Sequence, residues 1–239
     1  MSLRNLDGED AFGSRFVPDT KMLVVLFALW KARLGQPFSL DLAQAVGTWN
    51  ILASGAFFLT AILTGLRTRE LRAPNSLYVQ VWPSIEVQRQ KGRPVAAYYP
   101  QRLRAYLSLV LQRGMQLQEL IRDNGAGITF GGLEVAAFFY VELTDSPLWA
   151  TCLPTGPETA SAAFDQDPEF RRFLDLGWKW PRHWTNTVLR EAELGENLVQ
   201  RFHTHSPESF HALRWDQGLA VDIELHEYIS EYLSSLLGL

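Results

Sequence analysis

Between Ile51 and Leu66 the chain reads ILASGAFFLTAILTGL, sixteen consecutive residues without a charge. No other feature restricts the fold as strongly, because a helix that is apolar all round has to be enclosed all round. Lipid and protein are the two possible enclosures. A helix crossing the hydrocarbon core of a bilayer needs about 20 apolar residues, and this run is shorter. Arg67, Arg69 and Arg72 follow it closely, a flank that would also suit a membrane anchor. The expectation is a buried helix with no membrane partner, inside a core that a 239-residue chain of 47% hydrophobic content is large enough to build.

The formal charge of −4 hides a division along the chain. Residues 1–123 carry 15 positive and 9 negative side chains, which leaves 7 and 17 for residues 124–239. Within the first half, residues 67–104 hold Arg67, Arg69, Arg72, Arg89, Lys91, Arg93, Arg102 and Arg104 against Glu70 and Glu86 alone. A local excess of this size is an electrostatic footprint for a phosphate backbone. The single cysteine, Cys152, cannot form an intrachain disulfide, which fits a reducing, cytoplasmic setting and removes any cysteine-based zinc cluster. The first 19 residues contain acids and no apolar core, so they read as a flexible leader rather than a targeting peptide.

Local signals divide the region after that leader. Thr20 is placed to cap a helix through KMLVVLFALWKARL, closed by Gly35 ahead of Pro37. Ser39 is placed to cap a short second helix, LDLAQAVG, with Gly47 as its stop and TWN as a turn. A third helix is expected from Asn50 to about Leu71, broken by APNS. LYVQVW and VAAYYP are strand-like in composition, with EVQRQKGRP between them carrying Arg89, Lys91 and Arg93 about a glycine.

This order of helix, helix, turn, helix and basic hairpin resembles the winged helix-turn-helix superfamily over roughly residues 20–100. SLDLAQAVG takes the place of the second helix and GRPVAAYY that of the second wing strand. The resemblance implies an α+β, mainly helical protein that binds double-stranded DNA. Asn50 and Ser54 on the third helix would then face bases, and Arg67, Arg69, Arg72, Arg89, Lys91 and Arg93 would face phosphates. The first two turns of that helix, NILASGAFF, depart from the pattern because they carry no Arg, Lys or Gln for base edges. Contacts dominated by the DNA backbone, or a helix turned to protein binding, both accommodate this. Trp49 at the expected turn reads as a core residue, with an exposed anchor as the alternative.

RLRAYLSLVLQRGMQLQELIRD, residues 102–123, has amphipathic helical spacing. It either closes the first domain or forms a dimer seam. DNGAGITFGG reads as an interdomain connection, LEVAAFFYVEL as a strand or a buried helix, and DPEFRRFLDLG as a capped short helix. Further helices are expected near Thr187–Phe202 and Leu219–Leu237, so residues 124–239 form an acidic, mainly helical domain for dimerisation or a protein partner.

Two clusters in this half carry alternative chemistry. GWKWPRHW alternates Trp178, Trp180 and Trp184 with Lys179, Arg182 and His183, as a stacking surface for bases or as a core corner with extended cations. His203, His205, His211 and His226 fall in the last 37 residues, but their spacing belongs to no specific metal signature. Neither a G-x-S-x-G elbow nor a phosphate loop occurs. The sequence therefore predicts no catalytic residue, no metal site and no cofactor. It predicts a homodimeric DNA-binding protein of transcriptional or replication control, with a structural adaptor that grips protein through its winged helix as the other reading.

Overall fold

A computed structural model describes residues 17–67, 84–87, 95–123, 180–203 and 218–239. These residues are mainly helical: α1 (Thr20–Leu34), α2 (Leu42–Thr64), α3 (Gln101–Asp123), α4 (Trp180–Glu191), α5 (Glu196–Phe202) and α6 (Gly218–Leu236). Two short antiparallel strands, β1 (Ser84–Val87) and β2 (Val95–Tyr98), stand between α2 and α3.

The turn expected at Thr48–Asn50 is absent, and the two helices expected around it are one helix of 23 residues. Asp41 caps it instead of Ser39, its carboxylate accepting from the Gln44 N–H at 3.0 Å, while the Ser39 hydroxyl accepts from the Asp41 N–H. Gly47 fails to stop the helix for an energetic reason. A glycine in a helix interior costs about 1 kcal/mol relative to alanine, whereas a buried tryptophan is worth about 3–5 kcal/mol over alanine. Trp49 is 0% exposed two residues later, so its packing outweighs the stop signal. The helix ends earlier than expected, at Gly65, whose φ of 66° is the left-handed conformation that glycine adopts without steric cost.

α2 is the axis of the fold, and α1, α3, α4 and α6 pack around it. Its most apolar stretch, Gly47–Thr64, is long and apolar enough to cross a membrane, but 94% of it is buried within the protein. The uncharged run is thus enclosed by other helices of the same chain. Two indoles fix the closest approaches. Trp30 of α1 lies over Gly55, where a Cβ would stand 2.2 Å from Cδ1, and its Nε1–H donates to the Leu52 carbonyl at 3.0 Å. Trp49 of α2 points at Gly114 of α3, where a Cβ would stand 2.9 Å from Cη2. Trp49 is accordingly a core residue and not an exposed anchor.

The apolar face of α3, with Leu103, Leu107, Val110, Leu117 and Ile121, is buried as its spacing requires, and so are Ile229, Leu233 and Leu237 of α6. These are the faces from which a dimer was expected, and α2 of the same chain takes both. Among the described residues, that ground for a homodimer is removed. Helices on both sides of the expected domain boundary at 123/124 also share one hydrophobic core: Trp180 stacks 5.3 Å from Phe58, and the Trp184 Nε1–H donates to Thr20 Oγ1 at 3.0 Å. Trp180 and Trp184 are thus a core corner. Thr20 begins α1 without capping it, the capping side chain being Asp19.

Candidate functional site

The basic segment begins where α2 ends and closes where α3 begins, and residues 67, 84–87 and 95–104 of it are described. β1 pairs with β2 in the register Ser84↔Tyr98, Ile85↔Ala97, Glu86↔Ala96 and Val87↔Val95. A strand was expected in LYVQVW, which lies outside the described residues; the described partner of VAAY is SIEV, beyond Pro83. Alternating Ile85 and Val87 suit a short strand as well as the earlier run does. Seven residues, QRQKGRP, join the two strands, with Arg89, Lys91 and Arg93 among them and no acid.

At its closing end the segment is held by one carboxylate. Glu227 of α6 accepts from the Tyr98 hydroxyl and, at 2.9 Å, from the Gln101 N–H. Gln101 is the first residue of α3, so Glu227 satisfies an amide that the helix itself leaves open and places negative charge at the positive end of its dipole. Burial, with help from the hydrogen bond to Glu227 and its charge, pushes the Tyr98 phenol up to about 12, against the opposing influence of Arg104. Tyr99 beside it is buried, and burial alone holds its phenol well above the ordinary range.

The opening end is held by residues at the end of α5. His203, just after α5, places Nδ1 3.2 Å from the Gly65 carbonyl, and its own carbonyl accepts from the Arg182 guanidinium at 3.3 Å. A Cβ on Gly65 would stand 2.7 Å from the Phe202 carbonyl oxygen and 3.0 Å from His203 Nδ1. Gly65→Ala is therefore expected to lower stability by at least the roughly 1–2 kcal/mol of a left-handed alanine, with a further loss from displacing α5. Urea denaturation measures this, and a variant as stable as the parent chain would contradict the described end of α2.

Aromatic rings join the two anchors. Phe202 lies 5.0 Å from His226, and His226 lies 6.0 Å from Tyr98. The segment leaves and returns through one hub built of Gly65, Phe202, His203, Tyr98, His226 and Glu227. The electrostatic division of the chain is partly closed here, because an acid from the negative half seats the base of the positive one.

Of the residues expected to touch DNA, Arg67 is exposed directly after the Gly65 cap. Ser54 is buried in α2, so it is withdrawn from any groove. Asn50 lies in the same helix between the buried Trp49 and Ile51, with its side chain outside the described residues. Arg69, Arg72, Arg89, Lys91 and Arg93 also lie outside the described residues, as do His205, His211, Cys152, Trp178 and Lys179. His203 and His226 each pack against the Phe202 ring, but no group of three or more His, Cys, Asp or Glu side chains is placed to hold a metal among the described residues. The hub itself was not read from the sequence, since its hydrogen bonds join residues more than a hundred positions apart and no motif marks Glu227 or Tyr98. No protein-family model, curated protein or solved structure matches the chain.

Proposed function

We propose that the chain binds double-stranded DNA through the phosphate backbone, with the basic segment 67–104 as its contact and no helix that reads bases. The observation that carries this reading is the seven-residue connection QRQKGRP between paired strands, cationic at Arg89, Lys91 and Arg93 without an acid to offset it. Its base is tied to the core through Glu227, so a rigid root supports the charge. Arg67 and Arg102, both exposed, stand just after α2 and at the start of α3 and add their charge to the segment. Of the winged-helix pattern the proposal keeps the hairpin and gives up the recognition helix, because α2 is enclosed by protein. Sequence preference then arises from DNA shape and not from hydrogen bonds to base edges. Cytoplasmic control of transcription or replication is the process proposed for it.

The test is a salt series on duplex DNA. Replacing Arg89, Lys91 and Arg93 together by Ala is expected to leave the fold intact, since charged residues that join two strands typically change stability by less than about 0.5 kcal/mol each when substituted. Each lost phosphate contact reduces the slope of log affinity against log salt by roughly 0.9, so the triple variant is expected to lose up to about 2.7 in slope, equally for unrelated sequences. A folded triple variant with the parent slope would remove DNA from the reading and leave the adaptor in its place.

A further inference from the structure

We propose that His226 is a pH-operated latch on the basic segment: the neutral ring holds residues 65–67 and 95–101 against the core, and protonation of the ring releases them. The geometry is that of a single wedge between two anchors. On one side the His226 ring packs against Phe202, whose carbonyl oxygen and neighbour His203 close on Gly65. On the other it packs edge-on against Tyr98, whose hydroxyl, with the Gln101 N–H, is held by Glu227. Displacing this ring therefore loosens both ends of the segment together.

The surroundings of the ring are hostile to a proton. His226 is 5% exposed, and its Nδ1 has no hydrogen-bond partner among the described residues, so nothing stands ready to accept from an added N–H. From α5, Arg201 contributes a like charge, and the His203 ring is adjacent through Phe202. From β2 comes the phenol of Tyr98, with Arg104 of α3 beside it. The carboxylate nearest in sequence, Glu227, is engaged by Tyr98 and Gln101. Burial first, and Arg201 second, bring the imidazole down to about 4.

The direction of the pH effect follows. An opened hub exposes the ring, which then titrates near its ordinary value of about 6.5, so the opened form takes up a proton where the closed form remains neutral. Closure is fully favoured above about pH 6.5 and loses ground as pH falls from there toward 4. Between pH 7 and pH 5 the opening equilibrium rises about 20-fold on these values. The latch does not depend on what the basic segment binds.

Amide hydrogen exchange on the full chain, corrected for the intrinsic rate at each pH, tests it. The Gln101 amide reports its contact with Glu227 directly, and amides of α2 from Leu52 to Ile62 serve as the reference. Protection at Gln101 and in β2 is expected to fall about 20-fold from pH 7 to pH 5 ahead of α2, and His226→Phe, which keeps a ring between Phe202 and Tyr98, is expected to abolish the change. Equal losses at Gln101 and α2, or an unaltered pH dependence in His226→Phe, would overturn the latch. The imidazole resonances of the unmodified chain give a reading that needs no variant, and a His226 titration at or above pH 6.5 in the folded protein would also overturn it.

Discussion

Thr48→Pro is expected to destabilise the protein by about 3 kcal/mol or more. Thr48 sits inside α2, where a proline removes an i→i−4 hydrogen bond and sets its ring against the carbonyl of Gln44. Were TWN a turn between two helices, the same substitution would be tolerated, because turns accept proline readily. Thr48→Ala provides the reference, since Thr48 is half-buried and a small change there is expected to cost far less than the proline. Urea denaturation of the two variants decides between one helix and two. A proline variant within about 1 kcal/mol of the alanine variant would restore the turn and, with it, an accessible third helix.

Trp30→Ala is expected to cost about 3–5 kcal/mol, the range for removing a buried large aromatic side chain. The indole is 0% exposed, covers Gly55 and donates to the Leu52 carbonyl, so truncation empties the crossing of α1 and α2. The partner substitution makes the geometry testable by sign. In the parent chain Gly55→Ala drives a methyl into the indole at 2.2 Å, and the overpacking, about 1–3 kcal/mol, exceeds the roughly 1 kcal/mol that alanine contributes to a helix. In the Trp30→Ala background that obstacle is gone, and Gly55→Ala should become neutral or stabilising. A double-mutant cycle with no coupling between the two positions would show that α1 and α2 do not cross at this pair.

The comparison of sequence and fold separates local from non-local physics. Helices α1, α3 and α6 were legible almost to the residue, because each joins an apolar pattern at helical spacing to end signals that act over a few positions, such as Gly35 after Leu34. The end of α2 and its continuity were not. Gly47 carries the same local signal as Gly35, and what distinguishes them is Trp49 meeting Gly114 across two helices, a contact that no window of the sequence contains. The described pairing of β2 was not legible either: the sequence pointed to LYVQVW, which lies outside the described residues, whereas SIEV pairs with VAAY through a register that no single strand's composition reveals.

The candidate site shows the same division more sharply. The sequence by itself determined that the protein would bury an uncharged helix and carry a block of positive charge between residues 67 and 104, because charge and apolarity are properties of the residues wherever they are placed. It also marked His203 and His226 as a cluster without saying what they would meet. Only the tertiary structure decided that the helix offered for base reading is enclosed, that Ser54 lies inside, and that the basic segment is held at both ends by one hub. Those outcomes depend on contacts such as Tyr98 with Glu227, 129 positions apart, and Gly65 with His203, 138 apart. Pairings at that separation follow from how the helices pack around α2 and from no local preference of the residues that make them.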